Sequence, residues 1–223
     1  CRRSETGMAA ALDEAMMRRA IAVGWSRMGQ TRPNPCVGCV IVRSGVVVAE
    51  AATAASGRPH AEEQALAAAG DLARGADCYV TLEPCAARSN GEASCADRII
   101  AAGVARVLIA CEDVSPMASG QGLERLRAAG LRVELGLLAR EADILSAGFR
   151  QKLATGRPRV EAAEGPASYE GRFDPRSGED LAEALSRMGR EGFNRLWTPA
   201  GGDLAHRLEA LGWLSETPPA AMR

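Results

Sequence analysis

The sequence predicts a layered α/β domain, and three observations carry that prediction. Short apolar runs rich in β-branched residues alternate with longer stretches whose apolar residues recur at helical spacing. Turn-forming Gly, Pro, Asn and Ser fall between those runs. The 223 residues are 47% hydrophobic and 25% charged, ample for a core and ordinary for a globular chain.

Residues 9–29 predict an amphipathic helix, with Leu12, Met16, Ala20, Val23 and Trp25 among its apolar positions. Before it, Cys1 to Gly7 read as a loose leader, with Met8 an alternative start. Arg32-Pro33-Asn34-Pro35 cannot continue a helix, because each proline removes a donor and restricts the residue before it. Cys36 to Val42 read as a strand, Ser44-Gly45 as a turn, and Val46 to Ala49 as the hairpin partner. Cys36 and Cys39 form a C-x-x-C, but residues three apart on a strand point to opposite faces. They are read as strand cysteines rather than metal ligands.

A helix over 60–69 follows Arg58-Pro59, so His60 sits at its N-terminus. Cys78 to Leu82 form a short apolar strand that delivers Glu83, Pro84 and Cys85 at its carboxyl end. In open α/β sheets that end is where ligands bind. After the small polar loop 86–94, a helix over 95–103 carries Ile99 and Ile100 and stops at Gly103. The dipole at its N-terminus favours a thiolate at Cys95, and at Cys85 if a turn of helix begins there. Strand 106–111 leads into Glu112-Asp113-Val114-Ser115-Pro116, a second strand end beside the same pocket. Helix 119–129, strand 131–135 and helix 138–153 complete the alternation. The expected organisation is a leader over 1–7, a catalytic domain over 8–154, a linker over 155–177 and a short α/β tail over 178–223. Residues 161–177, rich in Gly, Pro, Ser and Glu, are expected to be poorly structured. The tail holds too few elements for a robust core and is expected to pack on the first domain or on a partner chain.

Composition excludes several classes of partner. A net charge of −1 supplies no basic footprint for nucleic acid, and 4% aromatics leave few stacking platforms for single-stranded bases. No stretch approaches the roughly 18 apolar residues of a membrane span, and no sustained apolar run follows Arg2 and Arg3. Seven cysteines without disulfide-framework spacing predict a reducing, cytoplasmic setting. A small-molecule substrate is favoured, with room left for a homo-oligomer through a sheet edge or helix.

The chemistry resides in His60-Ala61-Glu62 and in Pro84-Cys85 followed by Cys95. Either piece alone is a weak signal, since buried cysteines often serve as small hydrophobes. Together they supply one imidazole, two thiolates and a carboxylate, each placed at an element end. Three N/S ligands with one open position describe a catalytic Zn2+ site, whereas structural sites close with four. His60, Cys85 and Cys95 are the expected ligands, and Glu62 the group that carries a proton from water to a leaving amine. That is the H-x-E…P-C…C pattern of zinc nucleobase deaminases, except that the second cysteine lies ten positions on instead of three.

Over residues 16–160 the chain resembles the bifunctional deaminase–reductases of bacterial riboflavin biosynthesis. The likeness is carried by Met16-Met17-Arg18-Arg19-Ala20, Pro33-Asn34-Pro35-Cys36-Val37-Gly38, His60-Ala61-Glu62 and Thr81-Leu82-Glu83-Pro84-Cys85. Cys95-Ala96-Asp97, Ile99 to Gly103, Gly120-Gln121-Gly122 and Gly156-Arg157-Pro158 extend it, and the long gap between the cysteines is also like that family. The resemblance implies a three-layer α/β/α, cytidine-deaminase-like domain around a central mixed sheet, with a short degenerate C-terminal α/β remnant. It implies hydrolytic removal of an amino group from a ribosylaminopyrimidine phosphate, with His60, Cys85 and Cys95 on zinc and Glu62 as proton shuttle. Asn34 matches the asparagine that holds the base.

Departures from the family fall around the sugar phosphate. The first zinc cysteine is usually followed by Ser-His-x-Gly-x-Thr-Pro-Pro-Cys, whereas here loop 86–94 is one residue longer and lacks the histidine. Asp113-Val114-Ser115-Pro116 stands where the family has Asp-Pro-Asn-Pro. Arg88, Asn90, Asp113 and Ser115 are the candidate contacts to the sugar phosphate, although an exposed loop arginine is more often simply solvated. A complete family member carries a reductase domain of roughly 200 residues. Here its opening, Gly156-Arg157-Pro158, runs into what looks like a late portion over 178–216, so a remnant without reductase activity is expected. The rival readings are a deaminase of another free base, nucleoside or pterin, and a non-catalytic zinc module that recruits Cys36 or Cys39 as fourth ligand. A polynucleotide deaminase is the most distant.

Overall fold

The structure is a computed structural model that describes residues 2–88, 91–115 and 119–218, with the backbone alone for residues 2–6. Helix α1 spans Arg2–Trp25, so the expected loose leader is helical from Arg2 onward. Nothing between Arg2 and Gly7 breaks a helix with the force of a proline, and the stretch extends the favourable run behind it.

The cis Arg32-Pro33 turn then leads to β1 (Gly38–Arg43) and β2 (Val46–Ala52). They are joined at Ser44 and Gly45, both at positive φ, the geometry of a tight hairpin turn. Cys36 lies ahead of β1 instead of within it; its thiol donates to the Gly24 carbonyl at 2.9 Å. Helix α2 covers Ala61–Ala69, β3 Asp77–Leu82, α3 Cys95–Ala102 and β4 Arg106–Cys111. Helix α4 (Gln121–Ala128), β5 (Arg132–Leu135) and α5 (Ala139–Thr155) follow.

The five strands form one sheet in the order β2-β1-β3-β4-β5. The β1 strand pairs antiparallel with β2 and β3, while β3/β4 and β4/β5 are parallel. Buried runs such as Cys39 to Val42 and Val107 to Ala110 put apolar side chains on both faces, as a sheet between two helical layers requires. Helices α1 and α5 pack on the sheet and on each other, while α2, α3 and α4 succeed one another in a second group. The mixed sheet with flanking helices is the α/β fold that the sequence predicts.

The expected poorly structured stretch over 161–177 is corrected in two places. Strand β6 covers Arg159–Ala163 and β7 covers Gly171–Arg172. With β8 (Arg195–Pro199) and β9 (Leu214–Ser215) they make a second, parallel sheet ordered β7-β8-β6-β9. Helices α6 (Leu181–Arg190) and α7 (Asp203–Ala210) complete this C-terminal unit. It has a core of its own, in which Val160, Phe173, Leu185, Leu196 and Leu208 are buried together. Composition misleads here because polar residues pair on folding. Glu161 is fully buried, yet it accepts from the Arg195 guanidinium at 2.7 and 3.0 Å and from the Tyr169 hydroxyl at 3.0 Å.

Candidate active site

The site is assembled where α2 and α3 begin and where β3 and β4 end. Helix α2 starts just after the cis Arg58-Pro59 bond, with His60 at its N-cap in an extended conformation. The Gln64 amide donates to the Ala52 carbonyl at 2.7 Å and the Pro59 carbonyl at 3.1 Å, tying the first turn of α2 to the end of β2. Two residues after the cap, Glu62 points inward and is 3% exposed.

Helix α3 is started by a capping box. Ser94 Oγ accepts from the Asp97 amide at 3.1 Å, and Asp97 accepts in return from the Ser94 amide at 3.2 Å. Cys95 is the first residue of that helix, so its amide is still free to donate, and it does so to Cys85 Sγ at 3.4 Å. The Ala96 amide reaches the Cys85 carbonyl at 3.1 Å. Cys85 itself follows Pro84 at the end of β3, where Gly122 is wedged against the chain. A Cβ on Gly122 would lie 2.0 Å from the Pro84 carbonyl, so only glycine allows α4 to approach this closely.

His60 Nδ1 stands 3.4 Å from Cys95 Sγ and 3.9 Å from Cys85 Sγ, and the three donor atoms lie within 4.8 Å of one another. Tetrahedral zinc with bonds of about 2.1 Å to nitrogen and 2.3 Å to sulfur separates those atoms by about 3.6 Å. The donor set and its spacing therefore fit the metal. With Nδ1 given to a metal, the neutral ring would carry its proton on Nε2. No other such cluster occurs among the described residues. Cys39 Sγ lies 3.7 Å from Cys78 Sγ, and Cys36 is turned to Gly24, so neither cysteine of the C-x-x-C joins the cluster.

Electrostatics divide the two thiols. Hydrogen bonding with Cys95 and His60 pulls the Cys85 thiol down to about 3. Cys95, hydrogen-bonded to that sulfur and buried beside Glu62, is pushed up. No helical turn begins at Cys85, so of the two positions only Cys95 stands at a helix N-terminus. Burial raises the Glu62 carboxyl above the ordinary carboxylate range, with the His60 ring acting in the opposite direction. A carboxyl raised in this direction moves towards the range in which one group can both take and give a proton.

A cavity of about 340 Å³ opens over these groups and is lined by Asn34, Arg58, His60, Glu62, Cys85, Arg88, Asp113 and Ser115, among others. The Asn34 amide donates to the Gly57 carbonyl at 2.7 Å, and Gly57, at φ +85°, leaves no room for a Cβ beside it. Asp113 Oδ1 accepts from the Ser115 amide at 2.8 Å, and burial raises its carboxyl. Asn90 lies outside the described residues. Arg88 is not the exposed loop arginine that its sequence context suggests. Its side chain is 2% exposed, pairs with Glu63 at 2.9 Å and donates to Cys95 Sγ at 3.5 Å. Its guanidinium therefore lies against one sulfur of the His60, Cys85, Cys95 cluster.

Sequence reasoning missed four contributors. Glu83 is buried and accepts from the amides of Asp113, Gly120 and Leu123 at 3.0–3.2 Å, which ties β3, the loop after β4 and α4 together. Phe149 and Leu153 of α5 supply an apolar wall to the cavity. Arg58 lines the mouth and is exposed. Phe149 and Leu153 were detectable as part of the apolar stripe of α5; Glu83 had no local signal, because its partners lie 30 to 40 residues away.

The fold and the donor set are those of a zinc-deaminase class: residues 10–111 match the family described as cytidine and deoxycytidylate deaminase zinc-binding region. Within that class the chain belongs to the diaminohydroxyphosphoribosylaminopyrimidine deaminases. It is 40% identical over 148 residues to the diaminohydroxyphosphoribosylamino-pyrimidine deaminase of Buchnera aphidicola subsp. Schizaphis graminum, covering 66% of this chain and 99% of that one. It is 45% identical over 167 residues to the riboflavin biosynthesis protein RibD of Escherichia coli K12, covering 75% of this chain and 45% of that protein. The solved structure of Acinetobacter baumannii RibD superimposes with a TM-score of 0.64 at 37% identity, over 77% of this chain and 48% of that one. The chain thus spans about half the length of these two-part relatives. No helix among the described residues is long and apolar enough to cross a membrane.

Proposed function

We propose that the protein is a zinc-dependent hydrolase that deaminates the diaminohydroxyphosphoribosylaminopyrimidine of riboflavin biosynthesis. The observation that carries this reading is the convergence of His60 Nδ1, Cys85 Sγ and Cys95 Sγ within 4.8 Å at the floor of a cavity that also contains Glu62. His60, Cys85 and Cys95 would hold the zinc, which when bound supplies Lewis acidity that brings the pKa of water towards neutrality. Glu62 takes the proton from water as the oxygen adds to the amino-bearing ring carbon. It gives that proton to the ring nitrogen, then takes the remaining hydroxyl proton as the carbonyl forms and passes it to the amine, which leaves as ammonia. Asn34 orients the base, and Phe149 and Leu153 keep bulk water from the ring.

For the sugar phosphate, the candidates Asp113 and Ser115 line the cavity, whereas Arg88 is committed to Glu63 and Cys95. Arg58 at the mouth is the better-placed cation. That same commitment favours a second reading, a deaminase of an unphosphorylated base, nucleoside or pterin. Measured ammonia release from the pyrimidine phosphate, its dephosphorylated form and a panel of free amino-heterocycles separates the two. Preference for the phosphate supports the pathway reading, and preference for a free base or nucleoside overturns it. We assign residues 8–154 to the deaminase and the C-terminal unit from β6 onward to a remnant without reductase activity; NADPH oxidation with the deaminated pyrimidine would contradict the latter. The chain is read as a cytoplasmic enzyme that acts on a small molecule.

A further inference from the structure

Asn34 lines the cavity at the end of the Arg32-Pro33-Asn34 turn, and all three residues are held from outside the deaminase sheet. The Arg32 guanidinium lies 4.1 Å from the centroid of the Phe193 ring and donates to the Glu191 carbonyl at 3.5 Å. Lys152 Nζ donates to the Pro33 carbonyl at 3.1 Å and to the Gly192 carbonyl at 3.3 Å, joining the turn to the end of α6. The Asn194 side-chain amide donates to the Asn34 carbonyl at 3.1 Å.

Asn194 is itself held firmly. It is 5% exposed, and its backbone and side-chain nitrogens both donate to the half-buried Glu170 carboxylate, the latter at 3.1 Å. Glu170 also accepts from the Arg195 amide at 3.1 Å, so one carboxylate fixes the start of β8. At the other end of the contact, the Asn34 carbonyl receives Thr31 Oγ1 at 3.3 Å, the Asn34 amide donates to the Thr31 carbonyl at 3.1 Å, and the side chain of Asn34 is anchored on Gly57. A small rotation of this turn would swing the Asn34 side chain relative to Glu62 across the cavity.

We propose that the C-terminal unit is a positioning element of the active site, with Asn194 acting on substrate affinity by holding the main chain of Asn34. Asn194 touches no reacting atom; it is a positioning residue. The idea rests on the deaminase reading for its effect on substrate and on the contacts alone for its effect on the turn. It also gives the segment after Gly156 a role that needs no reductase chemistry.

Two measurements on Asn194→Ala, beside a Leu208→Ala control, test it. Leu208 is buried in the C-terminal core away from the turn, so its truncation loosens the unit while sparing the contact. Amide hydrogen exchange at Asn34 is expected to quicken at least tenfold in Asn194→Ala and to change less than threefold in Leu208→Ala. The KM for the pyrimidine is expected to rise at least fivefold in Asn194→Ala with kcat within twofold of the parent and zinc content unchanged. Unchanged exchange at Asn34 overturns the proposal. So does an equal rise in KM in both variants, which would mark a general loss of stability. If the parent protein releases no ammonia from any amino-heterocycle, the deaminase reading has failed, and the exchange result alone decides whether Asn194 holds the turn.

Discussion

Glu62 and the two thiols beside it, Cys85 and Cys95, occupy positions where immediate neighbours act on their ionisation. Arg88 is the clearest case, because a buried cation donates to the sulfur of Cys95 while Glu63 balances its charge. A positive charge beside a thiolate stabilises the ligating form, and removal of such supporting contacts typically weakens metal affinity about 10- to 100-fold. Arg88→Met is therefore expected to lose zinc to a chelator within that range of concentration shift, measured by competition titration. Retention equal to that of the parent would remove Arg88 from this role. The same contacts make Arg88 a poor phosphate ligand, which is how a residue that reads as solvated in a loop becomes part of the metal surroundings.

At the level of elements, the site depends on how closely α4 and the end of β3 approach. Glu83 draws together three amides from the facing loop and helix, and Gly122 lets the helix reach the Pro84 carbonyl. Gly122→Ala places a methyl group where no room exists. Overpacking of this kind costs about 1–3 kcal/mol, and here the displaced atoms include the peptide just before Cys85. The expected outcome is a lower melting temperature together with reduced zinc occupancy, read by thermal unfolding and metal analysis. A melting temperature and zinc content equal to those of the parent would show that the close approach is not required.

Across the whole molecule, legibility in the sequence followed the range of the interactions. The cluster was readable because His60, Cys85 and Cys95 each mark an element end, and caps and strand ends leave local signatures. The β1–β2 hairpin and the alternation up to α5 were readable for the same reason. The second sheet was not, since Glu161, Tyr169 and Arg195 look like surface residues until they meet. Nor was the Asp13 cluster, where Arg106 joins residues from α1, β3 and β5. Burial alone would raise the Asp13 carboxyl, but hydrogen bonds from Arg106 and Tyr79 outweigh it and hold the group below its ordinary value. A carboxylate whose folded pKa is depressed adds stability above its unfolded value, about 3.9, and loses it as pH falls through the folded value. Asp13→Asn should thus be less stable than the parent at pH 7, with the gap narrowing as denaturation is repeated below about pH 4. A gap independent of pH would contradict the assignment.

Deamination at this site depends most directly on the proton carried by Glu62. Ammonia release from the pyrimidine phosphate by the zinc-loaded protein should be read beside Glu62→Gln, which keeps the shape of the side chain and removes its titration. A positioned acid–base group contributes about 100- to 10,000-fold to such a step. The account predicts release by the parent and a fall of at least about 100-fold in the variant with the zinc retained. Release by the variant at the rate of the parent would contradict it.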